Sequence, residues 1–146
     1  MLKISKKLEW TREYIQLVRH LVPRIRYLKR ITSKVPDKDS NYIPRNQHIH
    51  GILTHYKDEK HYRMTLYTKY LSVTKIDPLE FKIRPYSKID LLEFLAHELS
   101  HLKYWDHTPD HARLQSELML IFMIQLKNSG YKSYEDEMSF RSKCKK

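Results

Sequence analysis

Cysteine is nearly absent from this 146-residue chain, and glycine is almost as rare. Cys144 is the only thiol, which excludes an intramolecular disulfide and any zinc cage built from several cysteines. Gly51 and Gly130 are the only glycines. Phosphate-cradling loops of the P-loop or dinucleotide type need several, so those nucleotide-binding classes are excluded. Long apolar runs are missing too. The longest, LMLIFMI at 118–124, falls far short of the roughly 20 residues that cross a bilayer. The opening MLKISKKLEW is basic and carries no apolar signal-peptide core. A soluble, cytoplasmic protein with no membrane partner is the expectation.

What the chain does have is a hydrophobic content of 40% and an aromatic content of 12%, enough for a folded protein. Its length suits a single domain over 1–146 with a modest core. The net charge of +11 is unevenly placed. Residues 1–34 hold ten Lys/Arg against two Glu, and residues 141–146 hold four Lys/Arg and no acid, so the stretch between is one charge negative. Two basic ends on a near-neutral body fit an electrostatic handle for DNA or another polyanion. They fit a solvated helix face and a charged tail as well.

Along the chain, Tyr14, Leu17, Val18, Leu21 and Val22 recur at helical spacing, which predicts an N-terminal amphipathic helix. Pro23 should end or kink it, and Ile25 and Leu28 suggest that helical character resumes to about Ile31. TSKVPDKDSNYIPRN (32–46) then reads as a loop. HIHGILTHY (48–56) and HYRMTLYTKY (61–70) read as two strands about the turn KDEK, with Tyr62, Met64 and Leu66 sharing one face. FKIRPY (81–86) reads as a short third strand. Ser87 with Asp90 predicts the cap of a helix over about 88–104, and Thr108-Pro109 the start of another that stops near Gly130. The fold class is therefore α+β: an N-terminal helix, a two- or three-stranded antiparallel or mixed sheet, and two further helices.

The stretch LAHELSHLKYWDHTPDH, residues 95–111, holds four histidines. On a helix with Leu92 at zero, Leu95, Leu99 and Leu102 fall near about 300°, 340° and 280°, while His97 and His101 fall near about 140° and 180°. The leucines can be buried while both imidazoles face a cleft. Two imidazoles one turn apart can share one metal ion, and Glu98 on the flank of that face can reach a water beside it. A catalytic zinc needs a third protein ligand. Asp106, His107, His111 and Glu117 are the candidates. His107 could not join along a continuous helix, because it would lie about 240° round from His101. DHTP breaks the helix first, which favours His107. His111 remains an alternative ligand or a stabiliser of the transition state.

LLEFLAHELSHLKYWDHTPDHARLQSEL resembles the zinc-protease core of the SprT-like and WLM group of zincins. There HExxH on a helix is followed by a third histidine that opens a short H-G-P-E-F-type motif. The resemblance places His107 as the matching ligand and Pro109-Asp110 at the Pro-Glu. YRMTLYTKYL resembles the strand before the active-site helix, so the likeness spans roughly 60–127. Thr108 stands in place of the glycine and His111 in place of the aromatic. The histidine spacing also equals that of metzincins, but Tyr104 occupies their glycine position and no clear Met-turn follows.

The resemblance implies a minimal zincin-like domain. Its zinc would be held by His97, His101 and His107, with Glu98 as general base for peptide hydrolysis. It also implies action on proteins attached to DNA. The strand around Met64–Thr68 would be the edge that takes up an extended substrate. His111, Tyr104 and Tyr67 are candidates for stabilising the oxyanion. Two rival expectations stand beside this one. The first is a nucleic-acid-binding or scaffold protein with a structural zinc, an inactive zincin. The second is a zincin-fold hydrolase or toxin with a substrate other than protein.

Overall fold

The structure, a computed structural model, describes residues 1–36, 51–55, 60–76, 79–131 and 140. The order of elements is β1 (Lys3–Ile4), α1 (Thr11–Leu17), β2 (Leu28–Lys34), β3 (Gly51–His55), β4 (Tyr62–Tyr67), β5 (Lys69–Ile76), β6 (Leu79–Pro85), α2 (Lys88–His101) and α3 (Pro109–Asn128). Two 3-10 turns, Lys6–Leu8 and Pro23–Tyr27, flank α1. The fold is α+β, with a four-stranded mixed sheet and a separate two-stranded antiparallel sheet. This exceeds the two or three strands expected.

The four-stranded sheet runs β1-β2-β4-β3. β2 is parallel to both β1 and β4, and β3 is antiparallel to β4. The alternation read in β4 holds: Met64 and Leu66 are buried on the face turned to the helices. β5 and β6 pair with each other, from Lys69 opposite Pro85 to Ile76 opposite Leu79.

The expected helical continuation to Ile31 is replaced by a 3-10 turn and then β2. The cause of the misreading is specific. Ile25, Leu28 and Ile31 are all buried and stand three apart, a helix-like spacing. The register of β2 against β4 shifts between Leu28 and Arg30, so Leu28 faces Tyr62 and Ile31 faces Met64. The extra residue of that irregularity returns Ile31 to the buried face, as a β-bulge does. Thr32, Ser33 and Lys34 therefore extend a strand instead of opening the loop expected at 32–46. Residues 37–50, residues 56–59, which include most of the expected turn KDEK (57–60), and the basic tail 141–146 lie outside the described residues.

The C-terminal helices follow their local signals. The Ser87 hydroxyl accepts the Asp90 N–H at 3.0 Å, and the Thr108 hydroxyl accepts the His111 N–H at 3.2 Å. Each cap satisfies a donor that the first helical turn leaves open. Gly130, with φ of 81°, sits just past α3 in the left-handed region. α2 stops at His101, three residues before the expected end at Tyr104. The N–H groups of Leu102, Lys103 and Tyr104 bond back to Leu99 and Ser100 and close the last turn tightly.

Leu92, Leu95, Leu99 and Leu102 of and beyond α2 have no exposed surface, and they join Leu114, Leu118 and Phe122 of α3 in one core. From the other side come Tyr14, Ile15 and Val18 of the α1 segment with Ile31 and Met64 of the sheet. Each such side chain contributes about 1.5–3 kcal/mol by burial. Among the described residues no helix is long and apolar enough to cross a membrane.

Candidate metal centre

The leucine side of α2 is sealed into the core, so its other side must carry the polar groups. There His97 and His101 are half-buried at the wall of a cleft of about 890 Å³. α2, the bend behind it and the edge strand β3 supply most of the lining, including Gly51, Ile52, Leu53, Glu98, Trp105 and His107.

The hydrogen bonds of the histidines fix their tautomers. His101 Nδ1 lies 3.3 Å from the Tyr104 carbonyl, which only accepts, so the proton is on Nδ1. His97 Nδ1 lies 2.8 Å from Gln115 Oε1, again an acceptor, so it too carries the proton. Both Nε2 atoms are then bare lone pairs. They face each other at 3.1 Å, and His107 Nε2 lies 3.2 Å from that of His97. Two bare lone pairs repel at such a distance unless a cation lies between them. Nitrogens that share a tetrahedral zinc at about 2.0–2.1 Å stand about 3.3–3.4 Å apart, close to what is seen here.

His111 is placed differently. Its Nε2 donates to the His97 carbonyl at 3.1 Å, its ring tilts over His101 with centroids 4.1 Å apart, and it is 2% exposed. Only its Nδ1 keeps a lone pair. Burial, followed by the charge of His101, pushes its pKa down to about 4. His101 is also shifted below its ordinary value, first by burial and then by His97. Both rings are thus held neutral, the form that binds metal. His97, His101 and His111 bring one ring nitrogen each within 4.8 Å of one another, so these residues could hold a metal ion. His107, an exposed residue, reaches His97 from the solvent side.

Glu98 is 6% exposed, with no cation paired to it among the described residues, and burial pushes its carboxyl up to about 7. A bound divalent cation nearby would draw that value down again by Coulomb attraction. β3 crosses directly over it. A Cβ on Gly51 would come within 3.1 Å of Glu98 Cγ, 3.0 Å of the Thr65 carbonyl and 2.9 Å of Leu66 Cδ2. Only glycine lets the strand pass this close without displacement.

Among the residues singled out in the sequence, His97, Glu98, His101, His107 and His111 gather at one place. Tyr104 does not line the cleft; its ring packs against the core and only its carbonyl serves the site. Tyr67 is also outside the cleft, beside Lys34, whose ammonium lies 5.7 Å from its ring. Asp106 and Glu117 are exposed and outside the lining. The expectation that Met64–Thr68 offers a free edge is corrected. β4 lies between β2 and β3, and both its rows of backbone groups are used. Among the described residues the outer strand beside the histidines is β3. Sequence reading missed Gln115, Gly51 and the aromatic rim. The one available signal for Gln115 was its position one helical turn after His111. Comparison with protein-family models, curated proteins and solved structures found no match to this chain.

Proposed function

We propose that the protein is a zinc-dependent hydrolase of peptide bonds with a zincin-like catalytic core. The observation that carries this reading is the pair of lone-pair Nε2 atoms of His97 and His101 at 3.1 Å, their Nδ1 protons tied elsewhere, with His107 Nε2 beside them. An all-imidazole donor set suits zinc, and His97, His101 and His107 are the ligands. Bound there, zinc would supply Lewis acidity to a water and to the scissile carbonyl.

Glu98 takes one proton from the attacking water as its oxygen adds to the carbonyl carbon. It returns that proton to the leaving nitrogen as the C–N bond breaks. Glu98 is buried beside the histidines, so its carboxylate is held close to the position where both transfers occur. β3, the outer strand among the described residues, aligns an extended substrate along its backbone edge. The likeness of residues 60–127 to SprT-like and WLM zincins supports the same assignment.

The decisive experiment compares wild type with Glu98→Gln on a casein substrate. Turnover should fall by about 10²–10⁴ with zinc content unchanged. Wild-type cleavage by the variant would end the proposal.

Proteins held on DNA are the favoured substrates. Lys3, Lys6, Lys7, Arg19, Arg24, Arg26, Arg30 and Lys34 are all exposed near the N-terminus. DNA affinity should fall steeply with added salt and weaken when these residues are neutralised. Absence of binding at low salt would remove the DNA component alone.

One observation favours a second reading. His111 brings a ring nitrogen within 4.8 Å of those of His97 and His101, and with His107 as well four histidines would close a structural site. X-ray absorption on the zinc protein separates the two by the number of imidazole rings in the outer-shell scattering: three for the hydrolase, four for the closed site.

A further inference from the structure

The chain has two tryptophans, and their settings are opposite. Trp10 is half-buried and packs edge-on against Tyr14 and Phe140, at 5.9 and 5.6 Å between ring centroids. Trp105 stands in the bend between His101 and His107 with 53% of its surface exposed. A large aromatic left half in water beside a cleft is unfavourable for folding alone and marks a contact surface.

Trp105 does not stand by itself. His55 of β3 and Tyr62 of β4 are cross-strand partners whose rings stack at 4.5 Å with 18° between planes. Trp105 lies 6.4 Å from the His55 ring and 6.2 Å from the Tyr62 ring. These separations fall within the range in which aromatic rings attract one another, so the three form one continuous wall. Leu53, two residues before His55 and so on the same face of β3, is half-buried and continues that apolar surface into the cleft. The wall ends at the histidines, since Trp105 is also 6.4 Å from the His101 ring.

We propose that Trp105, Tyr62 and His55 form a specificity subsite that receives a large apolar or aromatic side chain of the substrate, next to the bond to be cut. This rests on the reading of the histidines as a metal centre open to substrate, and it adds the side-chain class that the centre prefers. A flat side chain laid against Trp105 loses its own hydration, covers the half of the indole now in water, and keeps its backbone beside His101 and the β3 edge.

The test uses the zinc-loaded full chain and amino-acid hydroxamates, which bind through the metal and need no turnover. Acetohydroxamate sets the affinity of the metal group alone. Alanine, aspartate, lysine and phenylalanine hydroxamates are then compared by titration calorimetry. Phenylalanine hydroxamate should bind at least tenfold more tightly than the alanine compound. Trp105→Ala should erase that margin without changing acetohydroxamate affinity, and Trp105→Phe should keep most of it. Equal affinity along the series overturns the subsite and leaves the metal centre standing. So does a preference for lysine or aspartate, or a phenylalanine margin that survives Trp105→Ala. Tighter response to oligothymidine than to phenylalanine hydroxamate, lost in Trp105→Ala, would reassign the wall to a nucleobase and also overturn it. Failure of every hydroxamate, acetohydroxamate included, removes the open coordination position and the subsite falls with it.

Discussion

Residues 87–131 and residues 1–36 feed the same buried cluster, but they reach it by different routes. In the C-terminal stretch each element is set by its neighbours in sequence. Ser87 and Thr108 cap their helices, Pro109 opens the second, and the leucines keep one face. The histidines are then confined to what remains of the surface. In the N-terminal stretch the conformation is set by distant partners. Ile31 lies opposite Ile4 on one side and Met64 on the other, and nothing within a few residues of it dictates a strand. The histidine cluster lies in the stretch whose geometry is locally specified, while the other supplies the floor beneath it.

That division is broken most forcefully at Ile31. Ile31→Ala removes a fully buried side chain from the middle of the sheet. It should lower the stability of the metal-free protein by about 2–5 kcal/mol, measured by urea unfolding. The zinc dissociation constant of the folded variant should stay within about twofold of wild type, since no ligand contact changes. A large loss of zinc affinity would show that the floor also shapes the site.

The same contrast explains what was legible beforehand. The leucine stripe, both caps, the alternation in β4 and the convergence of His97, His101 and His107 all follow from spacing and turn chemistry. They are events within one or two turns of chain. β1 has two residues and β2 hides behind three-residue spacing, so neither leaves a periodic trace. Which strand lies at the edge depends on strand order, and strand order is set by long-range pairing. Gln115 meets His97 across two helices and 18 residues of chain, a contact no local pattern encodes.

A finer break uses the protonation of Glu98 in the metal-free protein. Its folded pKa, about 7, lies above its ordinary value of 4.5 because the carboxyl is buried. The stability it contributes is therefore complete below about pH 4.5 and is lost as pH rises through 7. His111, with its pKa lowered to about 4, acts in the opposite sense, losing stability as pH falls from 6.5 toward 4. Both slopes are present in wild type, but Glu98→Gln removes only the first. The stability of Glu98→Gln minus that of wild type should thus grow between pH 4.5 and 7, by roughly 2–3 kcal/mol. A difference flat with pH would mean that Glu98 is already ionised in the fold.

Next in size is Gln115→Leu. It removes the acceptor that holds the His97 Nδ1 proton and leaves that ring free to turn or change tautomer. Zinc affinity should drop by about 10–100-fold, the usual cost of losing a partner behind a metal ligand. Unfolding of the metal-free protein should change far less. Competition with a chromophoric chelator reads the first quantity and urea unfolding the second. Unaltered zinc affinity would leave His97 positioned by its helix alone.

The smallest effect separates two caps of equal kind. Ser87→Ala and Thr108→Ala each free one backbone N–H at a helix start, and each should cost about 1 kcal/mol of stability. Their consequences for the metal should differ. Ser87 lies at the far end of α2, nearly three turns before His97. The Thr108 hydroxyl holds the N–H of His111 and follows directly on His107, so it fixes the bend that brings His107 back to His97. Thr108→Ala should therefore weaken zinc binding several-fold, and Ser87→Ala should leave it unchanged at the same loss of stability. If both caps weakened zinc equally, global stability and not the bend would be controlling the site. If neither did, His107 would be held by the metal itself and the bend would need no cap.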